Sequence, residues 1–551
     1  YEISACLVGS EMCIRDRIRN AENPVRSGLG NGAIKMAFEM SRRSFLTAGG
    51  ATMLAGTASM LVGCASGSES GAGSVAAGKD DALKVDSDGK LGGTDSDVSE
   101  YYEHVISVSA LAKTYAIGEK IVGVAIEYDV DVDASSVDPG HGGIGQQAQE
   151  KGLGSFSVLG RSIVTAYVND KAELSDEGGK SKGTYVIVEL DPADAGAQTL
   201  MFQMTRGCVG SNGPVSLDSG CVKIAQIKDL KDSAGKKLTG DETSSRYLVA
   251  STVLNSEADK FVAGTYDDPK TGFHASFALA QPDDYDKAKK YPITLFLPDA
   301  GVTTCDVRVN LRQGLGALAW ADGSQFVLTI AGTCCDIETC LHVIEDLIDQ
   351  GYSIDPDRIY GTGESAGCMA LIEYASKHPD DNSFAALMLV AGQGNMTPIA
   401  KTPMVIFVSE DDSNSYGGMT DPEKGVASIG IPYVEKQLNC AYNYDGEGHT
   451  SGLWIDYDAT GEKNPSGNQE GAKAASSQKT LDELMVELSD VCSSACKQAV
   501  TDGAHVVFLH VEKGTLDSTD KTVQGGNTHN FTWQYAYAIP ELIEWVRDQS
   551  L

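Results

Sequence analysis

The half of the chain that follows Phe273 alternates short apolar runs with stretches of helical periodicity, and this alternation limits its fold more than any other feature. Ile293–Leu297 and Met404–Val408 are typical of buried strands, whereas Ala366–Lys377 has the spacing of a helix. Strands that alternate with helices build a mostly parallel sheet with helices on both faces. We therefore predict an α/β domain over residues 271–551.

Residues 100–270 have a different pattern, in which apolar and polar side chains alternate with a period of two. Ile121–Tyr128 and Thr184–Leu190 are typical strands, and clusters of Gly, Asp and Asn separate such runs. Several short strands at this spacing predict an all-β sandwich of immunoglobulin type. We find no catalytic constellation in this region.

The first hundred residues indicate an export signal and a linker. Ser41–Leu46 (SRRSFL) is a twin-arginine pattern, and the uncharged run after it ends in a lipobox whose cysteine, Cys64, would carry the lipid. We predict a signal peptide at 36–64, a flexible linker at 65–99 and a non-native extension at 1–35, because a signal stands at the true start of a protein. The folded part is then extracytoplasmic and membrane-anchored; a retained transmembrane helix is the alternative.

The net charge of the chain limits the kinds of partner that it can bind. The chain has 43 basic and 77 acidic residues, a net charge of −34. Such a surface repels phosphate backbones, so we expect no nucleic-acid binding.

The cysteines could form metal sites or disulfides. None of the 13 cysteines forms a zinc-ligand pattern, so we predict no metal. The pairs Cys208 with Cys221 and Cys492 with Cys496 are candidates for local disulfides, and sequence does not fix the pairing. The alternating carboxylates at residues 129, 131 and 133 fit a solvated strand face better than a calcium site.

GESAG at residues 363–367 matches the G-x-S-x-G motif of the α/β-hydrolases. A short strand, Arg358–Tyr360, precedes it and a helical stretch follows, so Ser365 would lie on a sharp strand-to-helix turn that exposes its hydroxyl. GKSKG at residues 179–183 also matches, but it lies in a charged loop that leads into a strand, and we attribute it to chance. Ser365 is the predicted nucleophile; a serine that merely caps a helix is the alternative.

A serine nucleophile needs a histidine base, which follows it in the chain order of this fold. Five histidines do so: His378, His449, His505, His510 and His529. The first ends the nucleophile's helix, the second lies in a polar loop, and the next two flank or belong to a strand. His529 follows the last strand in a polar loop before the final helix, so we predict it as the base.

The acid should follow the preceding strand, Met404–Val408. Of the carboxylates there, Asp412 lies at the usual distance from the strand, with Asp411 and Glu410 as alternatives. The two that are not used should be solvated surface groups.

The oxyanion hole is expected from two backbone positions. One N–H would come from Ala300 or Gly301, in the loop after Ile293–Leu297, and the other from Ala366. His141–Gly143 resembles the His-Gly pair common in related enzymes but lies in the β-rich region, so we discount it.

Three pieces resemble the polyhydroxybutyrate-depolymerase-like esterases, a branch of the α/β-hydrolases: Phe296–Gly301, Asp357–Gly367 and His529–Trp533. The β region, with Val158–Asp170, looks like the immunoglobulin-like domain of EstA-type esterases. The resemblance departs at residues 413–504, which we expect to form a lid or a flank of the pocket.

This resemblance implies hydrolysis of short-chain carboxylic esters through an acyl-enzyme, without a metal or other cofactor, by Ser365, Asp412 and His529. The substrate is then a small-molecule or polymer ester. A polyhydroxyalkanoate depolymerase, an acetyl or feruloyl carbohydrate esterase and a serine peptidase use the same triad and are alternatives. A surface lipoprotein that only binds sugar or polymer is an alternative of another class.

Overall fold

The computed structural model describes residues 101–115, 118–140, 154–175, 178–192, 194, 197, 199–201, 215–216, 222–243, 246–250, 252–300, 307–332, 336–399, 401–442, 477–516 and 528–551. The predicted extension, signal, lipidation site and linker lie outside these residues.

The described residues of the N-terminal part form twelve strands, of which eight build two facing sheets and four form two separate two-stranded sheets. Its strands are β1 Val105–Tyr115, β2 Gly118–Asp133, β3 Phe156–Val158, β4 Ile163–Asn169, β5 Lys182–Leu190, β6 Leu200–Met201, β7 Val215–Ser216, β8 Lys223–Gln226, β9 Leu230–Lys231, β10 Lys237–Leu238, β11 Leu248–Val249 and β12 Thr252–Leu254. One sheet has the order β12-β1-β2-β5-β4 and the other β11-β8-β3. Val124 and Ile126 of the first sheet share a buried cluster with Phe156 and Ile224 of the second, which makes the region a sandwich.

A nine-stranded sheet forms the centre of the rest of the chain. Its strands are β13 Val262–Asp267, β14 His274–Ala280, β15 Tyr291–Leu297, β16 Phe326–Gly332, β17 Ile354–Glu364, β18 Ala386–Val390, β19 Met404–Ser409, β20 Tyr433–Leu438 and β21 Val506–Val511. Their order is β13-β14-β16-β15-β17-β18-β19-β21-β20. The pairs that β14 makes with β13 and β16 are antiparallel, and the others are parallel. This sheet begins at Val262, inside the range predicted for the β sandwich, because β13 pairs with β14 rather than with the sandwich.

Helices cover both faces of this sheet. They are α1 Ile337–Asp349, α2 Ala366–Lys377, α3 Ser413–Met419, α4 Leu481–Asp502, α5 Thr528–Ala536 and α6 Pro540–Arg547. Leu387 and Leu389 of β18 pack in one buried cluster with α1 and α2. Met388, between them, packs on the opposite face with α4, α5 and α6. Burying a side chain of this size contributes about 1.5–3 kcal/mol to the stability of the fold. Because successive side chains of a strand point to opposite faces of the sheet, their order decides which helices each of them contacts.

Much of the segment predicted to form a lid or flank is part of the folded body. β20 extends the edge of the sheet, and α4 buries Leu484, Leu488 and Cys492 against it. α4 begins with a capping box between Thr480 and Glu483. Neither α4 nor another helix in the described ranges is long and apolar enough to cross a bilayer. Cys492 and Cys496 are both free, so the suggested disulfide between them is wrong; they lie on successive turns of one helix. Cys208 and Cys221 lie outside the described residues.

The two parts of the chain meet at the end of the β1–β2 hairpin. The N–H of Glu119 donates to the carbonyl of Arg312 at 2.6 Å, and the Thr114 hydroxyl donates to the carbonyl of Leu311 at 3.1 Å. The buried Glu119 carboxylate accepts from the side chain of Asn255 at 2.6 Å and faces the Arg312 guanidinium at 3.5 Å. A buried charge needs such partners. These contacts therefore hold the chain around Leu311–Gln313 against the sandwich domain.

An ion pair ties the end of α6 to the turn before β16. Arg547 donates to Asp322 at 2.7 Å and to the carbonyl of Trp320 at 3.1 Å. Partial burial raises the pKa of Asp322, but hydrogen bonds from Arg547 and Ser324 outweigh it and lower that pKa to about 2. A carboxylate whose pKa falls on folding stabilises the fold above its unfolded pKa of about 3.9, and this contribution is lost as the pH falls towards 2.

Asp322→Asn should therefore lower the free energy of unfolding by roughly 0.5–1 kcal/mol at pH 7, the range for a half-exposed pair, and by about half as much at pH 3, midway between the two pKa values. Urea unfolding of both proteins at the two pH values measures this. An equal difference at both would contradict the assignment.

Candidate active site

Ser365 lies on the bend between β17 and α2. Its φ of 51° and ψ of −111° are rare for a residue with a side chain. The flanking glycines make the bend feasible: a Cβ on Gly363 would lie 2.6 Å from the carbonyl carbon of Gly367, and one on Gly367 would lie 2.3 Å from the carbonyl oxygen of Leu297. The backbone therefore holds the Ser365 hydroxyl out of the sheet, in the geometry of a nucleophile elbow.

His529 and Asp412 complete a line of hydrogen bonds that starts at Ser365. The Ser365 Oγ lies 2.8 Å from His529 Nε2, and His529 Nδ1 lies 2.5 Å from Asp412 Oδ2. Because an ionised carboxylate only accepts, Nδ1 carries the proton and Nε2 is free to accept from the hydroxyl. His529 lies in the first turn of α5, rather than in a loop as predicted, and its ring makes an edge contact with the ring of Trp533, with 5.5 Å between their centroids.

Asp412 has a second partner besides the imidazole. It is the N-cap of α3, and its Oδ1 accepts from the N–H of Ser415 at 3.3 Å. Burial raises the pKa of Asp412, but the hydrogen bond and charge of His529, with the contacts of Ser415, outweigh it and lower that pKa. Asp412 is therefore ionised at neutral pH and can stabilise a protonated imidazole.

The neighbouring carboxylates have other partners. Asp411 accepts from the N–H of Gly514 at 2.7 Å, and burial raises its pKa. Glu410 pairs with Nδ1 of His510 at 2.8 Å. The expectation that these two groups are solvated surface carboxylates is wrong, because both anchor the loop after β19 to the turn after β21. Asp412 is the member of the three that contacts His529.

Of the predicted oxyanion positions, Ala366 follows the nucleophile directly, and Ala300 stands three residues after the end of β15. Leu297 of β15 pairs with Gly363 of β17, so the loop that leads to Ala300 begins next to the bend. Ala366 is the first residue of α2, where backbone N–H groups have no partner within the helix. Gly301 lies outside the described residues.

The other candidate histidines that the structure describes lie away from Ser365. His378 ends α2, stacked on Tyr374, and His505 is exposed before β21. His510 lies within β21 between Glu410 and Glu435, as expected of a strand histidine. His449 and His141 lie outside the described residues.

The features singled out in the β region have local roles. Ser181 of the second G-x-S-x-G match stands directly before β5 and uses its carbonyl to accept from Ala134. Asp129 contacts His104, Asp131 contacts Lys182, and Asp133 caps the turn at Ser135. These partners account for the alternating carboxylates without an ion.

Sequence reasoning missed the surroundings of Glu364, the residue before the nucleophile. Gln313 donates to its Oε1 at 3.1 Å across 51 residues of chain. The signal available in the sequence was a charged residue inside the motif, directly before the predicted nucleophile.

These features define a protein with an α/β-hydrolase fold that carries a sandwich domain in front of it. Residues 107–239 match the family model described as the esterase Ig-like N-terminal domain. The crystal structure of a thermostable esterase is 22% identical, with a TM-score of 0.54, and the alignment covers 81% of this chain and 100% of that one. At this identity the likeness shows a shared fold.

The resemblance to EstA-type esterases with an immunoglobulin-like domain is thereby confirmed. Two more distant structures are a ferulic acid esterase from Anaeromyces mucronatus (14% identity, TM-score 0.20, 25% of this chain and 59% of that one) and an acetyl xylan esterase from Aspergillus awamori (12%, 0.22, 31% and 81%). They are too dissimilar to carry an argument. No curated protein sequence matches the chain.

Proposed function

We propose that the chain is a serine carboxylic-ester hydrolase that acts through Ser365, His529 and Asp412. The observation that carries the proposal is the continuous line of hydrogen bonds from the Ser365 hydroxyl through both ring nitrogens of His529 to Asp412. A serine whose only role is to cap the helix would not need a hydrogen bond to His529. The match of residues 107–239 to an esterase domain family supports the same class of substrate.

The reaction has two steps. Ser365 Oγ attacks the ester carbonyl while its proton passes to His529 Nε2, and the tetrahedral intermediate expels the alcohol as the imidazolium returns that proton. Water, deprotonated by the same nitrogen, then attacks the acyl-enzyme and releases the acid and the free serine. Asp412 keeps the imidazole in the required tautomer and balances its transient charge. The backbone N–H groups of Ala300 and Ala366 would donate hydrogen bonds to the oxyanion, and each such donor contributes about 3–4 kcal/mol to transition-state binding.

The substrate side of the proposal is a short-chain ester, and its test is a panel of p-nitrophenyl esters of increasing acyl length. We expect kcat/KM to be highest for acetyl to butyryl esters. Polyhydroxybutyrate, acetylated and feruloylated xylan, and peptide substrates complete the panel. Turnover of one of these polymers or peptides far above every short ester would reject the short-chain assignment.

A fluorophosphonate probe tests the enzyme class separately. A hydrolase is labelled at Ser365, whereas a protein that only binds sugar or polymer through its β domain does not react. Failure of the folded protein to react would overturn the whole proposal.

We also propose that the chain is exported and anchored through a lipid on Cys64. The twin-arginine pattern and the lipobox support this. Metabolic labelling with a palmitate analogue, lost in Cys64→Ala, is the expected result.

A further inference from the structure

Glu364 stands directly before the nucleophile, yet its side chain points into the protein and is only 3% exposed. Its carboxyl has two hydrogen-bond donors from distant parts of the chain. The side-chain amide of Gln313 donates to Oε1 at 3.1 Å, and the backbone N–H of Asp299 donates to the same carboxyl. Glu364 therefore joins the nucleophile's bend to two other segments.

Asp299 belongs to the loop after β15 that leads to Ala300. This loop is where an oxyanion donor is expected, and its described residues, 298–300, form no helix or strand. A loop of this kind needs contacts that fix its distance from Ser365, because a donor works only when it lies about 3 Å from the developing charge. The bond from Asp299 N–H to Glu364 is such a contact, one residue from Ala300.

Gln313 is itself held firmly. Its N–H donates to the carbonyl of Val309 at 3.0 Å, and the preceding residue, Arg312, accepts from the N–H of Glu119 in the sandwich domain. The amide of Gln313 is also buried, so it cannot move away to bind water. Glu364 therefore lies between the buried side-chain amide of Gln313 and the loop that contains Asp299.

The protonation of Glu364 suits this role. Burial and the nearby charge of Asp299 raise its pKa well above its usual value, although the Asp299 N–H opposes the shift. The shift favours the uncharged form of the acid, which would place less negative charge beside an oxyanion.

We propose that Glu364 is a positioning residue that sets the oxyanion loop at its working distance from Ser365 by bridging the Asp299 backbone and the Gln313 side chain. The proposal rests on the esterase function proposed above. Because the oxyanion is absent from the bound substrate and forms only in the tetrahedral intermediate and its flanking transition states, loss of the bridge should lower kcat and leave KM nearly unchanged.

The test compares Glu364→Leu, which removes both acceptors at similar volume, with the matched control Glu364→Gln, which keeps an acceptor oxygen. Rates are divided by the concentration of active sites from the p-nitrophenol burst. We expect E364L to lower kcat by about 10²-fold, the effect of a misplacement near 1 Å, with KM within about twofold. E364Q should stay within about threefold of the wild type, since its amide oxygen can still accept.

A trifluoromethyl ketone, whose adduct with Ser365 carries an oxyanion, gives a second measurement. Its Ki should rise in E364L by the same factor as kcat/KM falls. Simple loss of folded protein would reduce the burst but leave Ki unchanged.

Three outcomes decide the matter. An active wild type with an unchanged kcat per site in E364L overturns the positioning role and leaves the esterase function intact, whereas a wild type that does not react overturns the function itself. If E364L does not fold, Gln313→Leu decides: a fall in kcat of about 3–10-fold at constant KM supports the bridge, and an unchanged kcat rejects it.

Discussion

Ser365→Ala is expected to lower kcat/KM for p-nitrophenyl acetate by at least about 10⁴-fold, because removal of a triad nucleophile leaves only the catalysis that binding and the oxyanion hole provide. The hydroxyl lies 2.8 Å from His529 Nε2, which would take its proton. Alanine keeps the backbone bend, so the variant should melt at the temperature of the wild type. Labelling by a fluorophosphonate should disappear with the activity.

The chain offers a matched control for this variant. Ser181 has the same glycine spacing but stands before a strand of the sandwich domain. Ser181→Ala should keep wild-type turnover and labelling. Activity above about one per cent of the wild type in a folded Ser365→Ala protein would contradict the proposed nucleophile.

Asp412→Asn should cost about 10³–10⁴-fold in kcat, with little change in stability. Asparagine keeps the shape of the side chain and an oxygen for the N–H of Ser415, but it removes the charge opposite His529. Its amide can also donate to Nδ1 and select the wrong tautomer, in which Nε2 can no longer accept the serine proton. Steady-state kinetics on the same ester measure the effect.

The two adjacent carboxylates provide the controls. Asp411→Asn and Glu410→Gln keep acceptor oxygens for Gly514 and His510, and neither residue contacts His529. Each should retain kcat within about tenfold of the wild type. A loss in either that equals the loss in Asp412→Asn would reassign the acid.

The nucleophile was predictable because its constraint is local. The glycines at 363 and 367 have no room for a Cβ, and the strand and helix around them are visible in the sequence. The chain order of the fold then pointed to His529 and to the cluster after β19. The choice of Asp412 within that cluster followed from its spacing after the strand. The partners of Glu410 and Asp411 could not be predicted, because they belong to β21 and the turn after it, about a hundred residues later.

Other features depend on distant pairings that no local pattern encodes. The bond between Gln313 and Glu364 joins residues whose proximity arises only when the segment before β16 folds over the sheet. The place of β13 at the edge of the large sheet likewise follows from its pairing with β14, because its own alternation is the same as that of a sandwich strand.

The Asp412 carboxylate contacts both a helix and the catalytic base, and this links the structure of the helix to the rate of the reaction. Asp412 offers Oδ1 to the start of α3 and Oδ2 to the imidazole, so the winding of that short helix and the tilt of the base are mechanically joined. A substitution along α3 that never meets substrate can therefore alter turnover by rotating a single carboxylate. Substitutions at such positions would change kcat without changing the residues that bind the substrate.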